Sequence, residues 1–401
     1  MAQLRCVVVV GASLGGLRTA EALRRLGYDG RLVLVGEEAH RPYDRPPLSK
    51  ELLRGERDAA SIALAKPDRF DALGLDLRLG RRAVALDPRA REVALDSGER
   101  IRFDGCAIAT GCRPRRLRGT PDLAGIFVLR TLDDALAIRA DLERGPRVAV
   151  VGAGFIGAEV AASCRQRGLD VVMIDPLPTP LAASVGAEVG EVVAAVHRDH
   201  GAVLRLGVGV AAFEGAGRLE RVRLSDGSAV AADVAVVGIG VAPNTEWLAA
   251  SGIELDDGVV CDETTATGVP GIVAVGDVAR FANPLFGVSM RVEHWTHAVE
   301  QAQAAAECLL AAPAKPYAPA PYVWSDQYDL KIQSAGFLLP GDETRVVHGT
   351  LAERRCVVLH GRGGRLVGAL ALNRVRQLLA YRRMIREGAS FEGALAAAEA
   401  A

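Results

Sequence analysis

The sequence has 401 residues, half of them hydrophobic, and a formal net charge of −1 at pH 7. This length predicts two or three domains, and the near-zero charge excludes a globally basic surface for nucleic acid. No apolar run is long enough to span a bilayer, and residues 1–16 lead straight into a strand pattern without the features of a signal peptide. We therefore expect a cytoplasmic protein with no membrane contact.

The seven cysteines are scattered singly along the chain. They form no Cys-x-x-Cys pair and no Cys/His cluster at the spacing of metal ligands, so we predict neither a metal site nor a disulfide framework. Most of them are interpreted as small buried hydrophobes.

Residues 5–37 show a strand–turn–helix–strand pattern, with the glycine turn "GASLGG" between the apolar strand "CVVVV" and a helix. Gly11 lets the chain reverse tightly, and the helix start directs free N–H groups and its positive dipole end at a pyrophosphate. Glu37 ends the second strand, where it can accept hydrogen bonds from a ribose. Ser13 stands where the GxGxxG fingerprint has its middle glycine, and we expect this small residue still to admit a phosphate.

The next segment, "RPYDRPPLSK" at residues 41–50, contains three prolines. Proline density excludes a helix or a central strand and predicts a stiff, irregular loop that presents charges at fixed positions. Lys50 is unusual there, because the chain has only four lysines and takes almost all its positive charge from arginine.

The strand–turn–helix–strand pattern returns at residues 147–175, this time with a complete fingerprint, "GAGFIG". Its glycines are Gly152, Gly154 and Gly157, and Asp175 ends the second strand. Two such units in one chain predict two dinucleotides. A carboxylate at Asp175 bonds a ribose 2′-OH but repels a 2′-phosphate, and no arginine follows it closely, so the sequence favours NADH over NADPH.

The remaining landmarks lie in the second half of the chain. "VAVVGIGVAPN" at 234–244 repeats the form of "CAIATG" at 106–111, and "GIVAVGDVA" is a buried strand that ends in Gly276 and Asp277. Residues 293–310 predict a helix, followed by a proline-rich linker at 312–322. The sequence after the linker reads as strands closed by a helix, which predicts a third, α+β domain.

These motifs occur in a characteristic order: GASLGG, PPLSK, ATG, LRTLDDA, GAGFIGAEVAA, GIGVAPN, VGD, EHW and WSDQYDLKIQ. In this order, over nearly the whole chain, they resemble the two-dinucleotide flavoprotein reductases, and among those the ferredoxin reductases that feed bacterial Rieske dioxygenases and haem-thiolate monooxygenases. The resemblance implies an α/β fold with two Rossmann-like, glutathione-reductase-like domains and a C-terminal α+β domain. The implied boundaries are 1–111 and 241–312 for an FAD domain, 112–240 for an NAD domain and 313–401 for the C-terminal domain.

The resemblance also implies functional residues. The implied cofactor contacts are Gly11, Ser13, Gly15, Glu37, Arg45, Lys50, Ala83, Arg130, Gly152, Gly154, Gly157, Asp175, Gly240, Asp277 and Trp295. Three side chains are implied at the reacting centre: Glu159 on the first turn of the second fingerprint helix, Lys50 close to it, and Trp324 stacked near the nicotinamide. Alternatives are that Glu159 only meets the helix dipole and that Trp324 only fills a core.

The implied mechanism follows from the cofactors. NADH gives hydride to FAD, and the flavin returns the electrons singly to an iron–sulfur ferredoxin, which supplies a monooxygenase or dioxygenase. A basic stretch with Arg374, Arg376, Arg382 and Arg383 is either a docking patch for an acidic ferredoxin or a solvated helix face. His294 and His297 are interpreted as packing or solvent-facing, and we expect a monomer or weak dimer.

Two other interpretations stay open. A disulfide, peroxide or NADH-oxidase relative would share both fingerprints but needs a redox cysteine near residues 41–50, and no cysteine lies between Cys6 and Cys106. A redox-sensing flavoprotein resembling apoptosis-inducing factor would share both the fold and the Lys/Glu pair.

Overall fold

The computed structural model describes residues 4–311 and 315–400. They group into two compact units. Unit 1 comprises residues up to Asp44, Ala63–Arg113 and Ala242–Tyr322; unit 2 comprises Arg45–Ile62, Pro114–Val241 and the residues from Val323 onward. Residues 312–314 of the predicted linker, where two of the predicted domain boundaries fall, lie outside the described residues. The division into three domains stays a prediction.

The first part of the chain contains four α-helices and nine strands within the described residues. They are β1 (Cys6–Val10), α1 (Leu14–Arg25), β2 (Arg31–Gly36), α2 (Glu51–Arg54), α3 (Pro67–Leu73), β3 (Leu75–Leu79), β4 (Ala83–Asp87), β5 (Glu92–Leu95), β6 (Arg100–Arg102), β7 (Gly105–Ile108), β8 (Cys112–Pro114), β9 (Ile126–Val128) and α4 (Leu132–Leu142).

The second fingerprint opens the middle part. Its elements are β10 (Val148–Val151), α5 (Phe155–Gln166), β11 (Val171–Asp175), α6 (Ala182–Val185), α7 (Ala187–Asp199), β12 (Val203–Leu206), β13 (Val210–Glu214), β14 (Arg221–Leu224), β15 (Ala229–Ala231), β16 (Val234–Val237), β17 (Val241–Pro243), β18 (Val259–Cys261), β19 (Ile272–Ala274), β20 (Ala279–Asn283), β21 (Val288–Arg291) and α8 (Trp295–Leu309).

The last part is rich in long strands. It contains β22 (Tyr322–Gln327), β23 (Leu330–Gly336), β24 (Glu343–Thr350), β25 (Arg355–Arg362), β26 (Arg365–Leu372), α9 (Val375–Arg386) and α10 (Phe391–Glu399).

Unit 1 is built on a parallel sheet with strand order β19-β7-β1-β2-β3. Its central strand β1 carries four consecutive valines, Val7–Val10, all buried. A continuous apolar run is typical of a strand covered on both faces, which a parallel sheet requires. On one side α1 packs with α8, where Ala302, Ala305 and Ala306 join the core and their small side chains let the two helices approach.

Unit 2 repeats this design with the parallel order β12-β11-β10-β16-β9. It also contains a five-stranded sheet of order β22-β23-β26-β25-β24, on which α9 packs. Val189 and Val193 of α7 share one apolar core with Leu330, Ile332 and Leu370 of this second sheet. The C-terminal strands of unit 2 therefore pack against a helix of its nucleotide-binding part.

The predicted fold class is confirmed: two Rossmann-like parallel sheets and a C-terminal α+β part. One local prediction was wrong. Residues 46–49 form a short 3₁₀ helix, which is followed at once by α2. Prolines occupy the first positions of that 3₁₀ helix, where no backbone N–H is needed and the fixed φ suits the turn. Within residues 4–311 and 315–400, no helix is long and apolar enough to cross a membrane.

Candidate functional site

The first glycine turn, in unit 1, joins β1 to α1. Gly11 has φ +123°, and a Cβ there would lie 2.0 Å from the carbonyl oxygen of Ala109, so only glycine fits. A Cβ on Gly16 would lie 1.9 Å from the carbonyl oxygen of Gly11. At Gly15 the nearest atom would be 3.4 Å away, which is ordinary contact. The third fingerprint glycine is thus Gly16, which the sequence analysis missed although the GxGxxG spacing points to it.

Ser13 occupies the N-cap of α1 in extended conformation, and its side chain makes no capping hydrogen bond. The matching residue of the second turn is Gly154, where an added Cβ would meet no atom within 4 Å. Space for a side chain therefore exists at the equivalent point of the second turn, and this fits the prediction that a serine is tolerated in the first.

The other predicted FAD contacts of unit 1 follow strands or begin helices. Glu37 is exposed directly after β2, 4.0 Å from the guanidinium of Arg82, and Ala83 is buried at the start of β4. Asp277 lies in a 3₁₀ turn after β19. Trp295 is the first residue of α8, and its indole Nε1 donates a hydrogen bond of 2.7 Å to Asp44.

Two histidines lie at the start of α8, where His297 is buried and His294 is half-buried. The ring of His297 stacks on Phe281 at 5.1 Å, and its Nδ1 lies 3.0 Å from the Tyr317 hydroxyl. Burial lowers the pKa of His297 to about 3 and that of His294 to about 4. Within the described part of the chain His294 Nδ1 has no hydrogen-bond partner, which leaves a polar atom available to a ligand.

The second glycine turn, in unit 2, joins β10 to α5 and has the same geometry. A Cβ on Gly152 would lie 2.2 Å from the Gly238 carbonyl oxygen, and one on Gly157 would lie 1.9 Å from the Gly152 carbonyl oxygen. Gly154 opens onto free space at the N-cap of α5. The close approach of helix and turn, with room at the helix start, is the cradle that a pyrophosphate needs.

Asp175 ends β11 and is tied to this turn. Its Oδ2 accepts a hydrogen bond of 2.6 Å from the backbone N–H of Ala153, and its Oδ1 accepts one of 2.8 Å from Leu177. Both bonds fix the carboxylate beside the turn. Gly240 lies on the connection after β16 with φ +97°, a conformation that favours glycine.

Lys50 and Glu159 form a buried ion pair in unit 2. Lys50 Nζ lies 2.8 Å from Glu159 Oε2, and both side chains are more than nine-tenths buried. The hydroxyl of Ser49 donates to the same oxygen at 2.5 Å, and the hydroxyl of Ser325 donates to Oε1 at 2.8 Å. The predicted contact between lysine and glutamate is therefore confirmed.

The predicted position of Glu159 in its helix was wrong. Glu159 is the fifth residue of α5, and the first turn of that helix contains no acidic residue. Because the effect of the helix dipole is confined to the first turn, the ion pair and the two hydroxyls account for the burial of this carboxylate better than the dipole does.

The other predicted residues of unit 2 surround the same segment. Arg45 donates a hydrogen bond to the carbonyl oxygen of Arg130, just before the N-cap of α4. Trp324 is partly buried in β22, next to Ser325. Successive side chains of a strand point to opposite faces, so Trp324 faces away from the side on which Ser325 meets Glu159.

The structure thus places the predicted residues in two sets. Unit 1 holds Gly11, Ser13, Gly15, Glu37, Ala83, Asp277 and Trp295; unit 2 holds Arg45, Lys50, Arg130, Gly152, Gly154, Gly157, Glu159, Asp175, Gly240 and Trp324. Their roles in binding and catalysis stay predictions. The sequence analysis missed Ser49 and Ser325 as partners of Glu159, because no local pattern links residues that meet only through tertiary packing.

Sulfur and metal chemistry find little support in the described residues. Within the described residues none of the seven cysteines forms a disulfide, and five of them are buried, as interpreted from the sequence. Burial raises the pKa of the thiols of Cys106, Cys164 and Cys261 to about 12, which opposes thiolate formation. Residues 4–311 and 315–400 contain no group of three or more His, Cys, Asp or Glu that could hold a metal ion.

Two parallel sheets, each with a glycine turn at the start of a helix, define a protein with two dinucleotide-binding folds. Comparison with known proteins agrees. The chain matches the pyridine nucleotide-disulphide oxidoreductase family over residues 5–302 and the reductase C-terminal family over residues 322–401.

The individual relatives are reductases. The ferredoxin–NAD(+) reductase component of the anthranilate 1,2-dioxygenase system from Burkholderia cepacia is 40% identical, over 95% of this chain and 94% of its own. The structure of a covalent putidaredoxin reductase–putidaredoxin complex matches with TM-score 0.92 and 32% identity, covering 99% of both chains. The ferredoxin reductase for the CYP199A2 system from Rhodopseudomonas palustris matches with TM-score 0.91 and 35% identity, covering 97% of both.

The chain therefore belongs to the pyridine nucleotide-disulphide oxidoreductase family, within its branch of ferredoxin reductases. It is an NAD(P)H-dependent oxidoreductase, and membership of this family implies a flavin and a pyridine nucleotide. The residues fit both groups: Gly154 leaves the start of α5 open, Ser13 at the start of α1 is partly exposed, and His294 Nδ1 offers unit 1 a buried polar atom without a partner in the described chain.

Proposed function

We propose that the protein is an FAD-containing reductase that takes hydride from NADH and passes electrons singly to an iron–sulfur ferredoxin, which supplies a monooxygenase or dioxygenase. The observation that carries this proposal is the buried Lys50–Glu159 pair in a chain with two dinucleotide turns and no cysteine between Cys6 and Cys106. Without sulfur in that segment, electrons must leave toward another molecule. The names of the relatives support the same partner.

FAD is assigned to the first turn and NADH to the second. In unit 1, Gly11 and the start of α1 would hold the pyrophosphate, Glu37 the ribose and Asp277 the ribityl chain. In unit 2 the second turn would hold the NADH pyrophosphate, and Asp175 would accept from the ribose 2′-OH. NADH is favoured over NADPH because the carboxylate of Asp175, fixed by two backbone N–H groups, would repel a 2′-phosphate.

A bound flavin accepts two electrons as hydride and can release them one at a time. The chain's own residues must hold the nicotinamide in place and exclude water. Lys50 and Glu159 supply opposite charges at 2.8 Å in a buried setting, so they add no net charge while each stays oriented by the other. Trp324, partly exposed on β22, would stack against the nicotinamide from the face of the strand opposite to Ser325.

The ferredoxin is assigned to α9. Leu378, Tyr381 and Ile385 bury one face of this helix, while Arg376 and Arg383 are exposed on the rest of it. With Arg374 and Arg382, these residues would form a basic surface for an acidic ferredoxin, and such surfaces mainly raise the association rate.

Anaerobic stopped-flow mixing with NADH, followed by addition of a two-iron ferredoxin, tests the proposal. We expect fast bleaching of the flavin and then reduction of the ferredoxin, with a rate that falls as salt rises. Fast bleaching without reduction of ferredoxin or cytochrome c would overturn it.

A second candidate is a redox sensor, since the Lys50–Glu159 contact is also expected for a relative of apoptosis-inducing factor. Such a protein would be bleached slowly by NADH and would hold the nucleotide in a long-lived complex. The same stopped-flow traces separate the two candidates.

A further inference from the structure

A chain of buried hydrogen bonds leads from Glu159 into the C-terminal part of unit 2. Ser325 Oγ lies 2.8 Å from Glu159 Oε1, and Gln327 Nε2 lies 3.1 Å from Ser325 Oγ. Gln327 Oε1 lies 3.0 Å from His197 Nε2, and the Tyr328 hydroxyl lies 3.3 Å from His197 Nδ1. Ser325, Gln327 and His197 are fully buried, so water does not compete for these bonds.

The acceptor at one end fixes the direction of every bond. An ionised carboxylate only accepts, so Ser325 must donate to Glu159 and therefore accepts from the amide nitrogen of Gln327. The amide oxygen of Gln327 then faces His197 Nε2, which must carry a proton.

The other ring nitrogen of His197, Nδ1, is then unprotonated and accepts a hydrogen bond from the Tyr328 hydroxyl. This requires a neutral imidazole, and burial lowers the pKa of His197 to about 4. All four hydrogen bonds consequently point toward Glu159, and bonds aligned in this way polarise and strengthen one another.

This series of hydrogen bonds joins elements that are distant in sequence. Ser325 and Gln327 lie on the same face of β22, two residues apart, and His197 lies on α7. Tyr328, which follows β22 with φ +55°, stacks on His200 at 3.8 Å, and this contact fixes the outer end. Oε1 of Glu159 is thereby held by β22, which leaves Oε2 for Lys50 and Ser49.

We propose that Ser325, Gln327 and His197 are positioning residues that hold the Glu159 carboxylate in the orientation needed for hydride transfer. The C-terminal part of unit 2 then completes the reacting centre. This inference rests on the proposed role of Glu159 in the reaction of NADH with the flavin.

Ser325→Ala tests the inference against a matched control, Ser334→Ala. Ser334 is also buried, on the neighbouring strand β23, but does not belong to the chain of hydrogen bonds. We expect Ser325→Ala to lower the limiting rate of flavin reduction by NADH about tenfold, the value of one hydrogen bond to a charged group. The Kd for NADH should change less than about twofold, and the flavin midpoint potential should shift. Ser334→Ala should change none of these, and Ser325→Thr, which keeps the hydroxyl, should recover most of the rate.

Two results would overturn the inference. One is a Ser325→Ala enzyme with the rate and midpoint potential of Ser334→Ala; the other is a loss that appears in the Kd for NADH instead of the rate. If Ser325→Ala binds flavin poorly, Gln327→Leu serves as the second variant, because it breaks the chain one bond further out and should slow the reaction in the same way.

A double variant shows whether Ser325 acts through Glu159. If it does, Ser325→Ala should slow the Glu159→Gln enzyme no further, whereas a second independent tenfold loss would contradict the proposal. All these measurements use NADH and the flavoprotein alone. A wild-type enzyme that fails to reduce ferredoxin would therefore refute the proposed partner and leave this comparison intact.

Discussion

Lys50 is buried together with the groups that it contacts. Its ammonium group is enclosed with the Glu159 carboxylate, and the same carboxylate also accepts from Ser49 and Ser325. Such a pair contributes little net stability over an apolar pair, but removal of one member leaves the other charged and unpaired in a poorly solvated place. Lys50, one of only four lysines in the sequence, is therefore positioned by a contact with a residue distant in sequence, Glu159.

Replacement of Lys50 by methionine should destabilise the protein. We expect the free energy of unfolding to fall by about 3 kcal/mol, because Glu159 loses its only cationic partner among the described residues but keeps two hydroxyl donors. Flavin reduction by NADH should also slow by about tenfold or more. Urea unfolding and stopped-flow absorbance measure the two effects.

Lys331→Met is the control for that experiment. Lys331 also pairs with a carboxylate, Asp326 at 3.3 Å, but both side chains are substantially exposed. An exposed pair is worth about 0–1 kcal/mol, so this variant should remain close to wild type. An equal loss of unfolding free energy in Lys50→Met and Lys331→Met would show that the burial of Lys50 has no energetic consequence.

Asp175 should determine the preference for NADH. In Asp175→Ser, we expect the ratio of kcat/KM for NADH to kcat/KM for NADPH to fall about tenfold or more, because the carboxylate no longer bonds the 2′-OH or repels the 2′-phosphate. Steady-state assays with both nucleotides measure this ratio. Asp170→Ser, at an exposed position just before β11, should leave it unchanged. A wild-type enzyme equally active with both nucleotides would contradict the assignment of Asp175.

Among the elements, the two strand–turn–helix units were predictable because each combines a fully buried apolar strand with a glycine fingerprint. The 3₁₀ helix at Pro46–Ser49 was not, because proline is excluded only beyond the first helical turn. The partners of Glu159 could not be predicted either. Ser325 lies 166 residues from Glu159, and only the packing of β22 in unit 2 brings them together.

Adjacent glycines in α1 offer a matched pair of variants. Gly16→Ala would place its Cβ 1.9 Å from a backbone carbonyl that cannot move away without distorting the turn. We expect it to cost about 2–3 kcal/mol and to lower the bound flavin content. Gly15→Ala meets only ordinary contacts and replaces a helical glycine, so its stability should stay level or rise by up to about 1 kcal/mol.

Flavin content after gel filtration and urea unfolding distinguish the two alanine variants. If Gly15→Ala proved the more damaging, the assignment of the third fingerprint position to Gly16 would be contradicted.

The C-terminal part of unit 2 shares a core with α7 of its nucleotide-binding part. The sequence predicted an α+β domain there, because alternating strands and an amphipathic helix follow the linker. It did not predict which helix this part packs against, because the apolar side chains of β23 and β26 can pack against any apolar surface and do not specify α7.

Three histidines, of which His197 and His297 are buried and His294 is half-buried, make the stability of the folded chain depend on pH. Burial lowers the pKa of His197 and His294 to about 4 and that of His297 to about 3, below the ordinary value of about 6.5. The unfolded chain therefore binds more protons between these values. The contribution of the neutral histidines to the free energy of unfolding is therefore complete above pH 6.5 and is lost as the pH falls toward 4.

His297→Phe should reduce this dependence. Phenylalanine can keep the stacking on Phe281, but it does not titrate, so the variant should lose about 2 kcal/mol less unfolding free energy than wild type between pH 7.5 and pH 5. Urea unfolding at both pH values gives the difference.

Tyr317→Phe is the control, because it removes the hydrogen bond to His297 but no group that titrates in this range. The free energy of unfolding that it loses should be equal at the two pH values. If the free energy of unfolding fell equally in His297→Phe and wild type, His297 would have to be protonated in the folded protein at pH 5. That result would contradict the description of His297 as a neutral, buried ring stacked on Phe281.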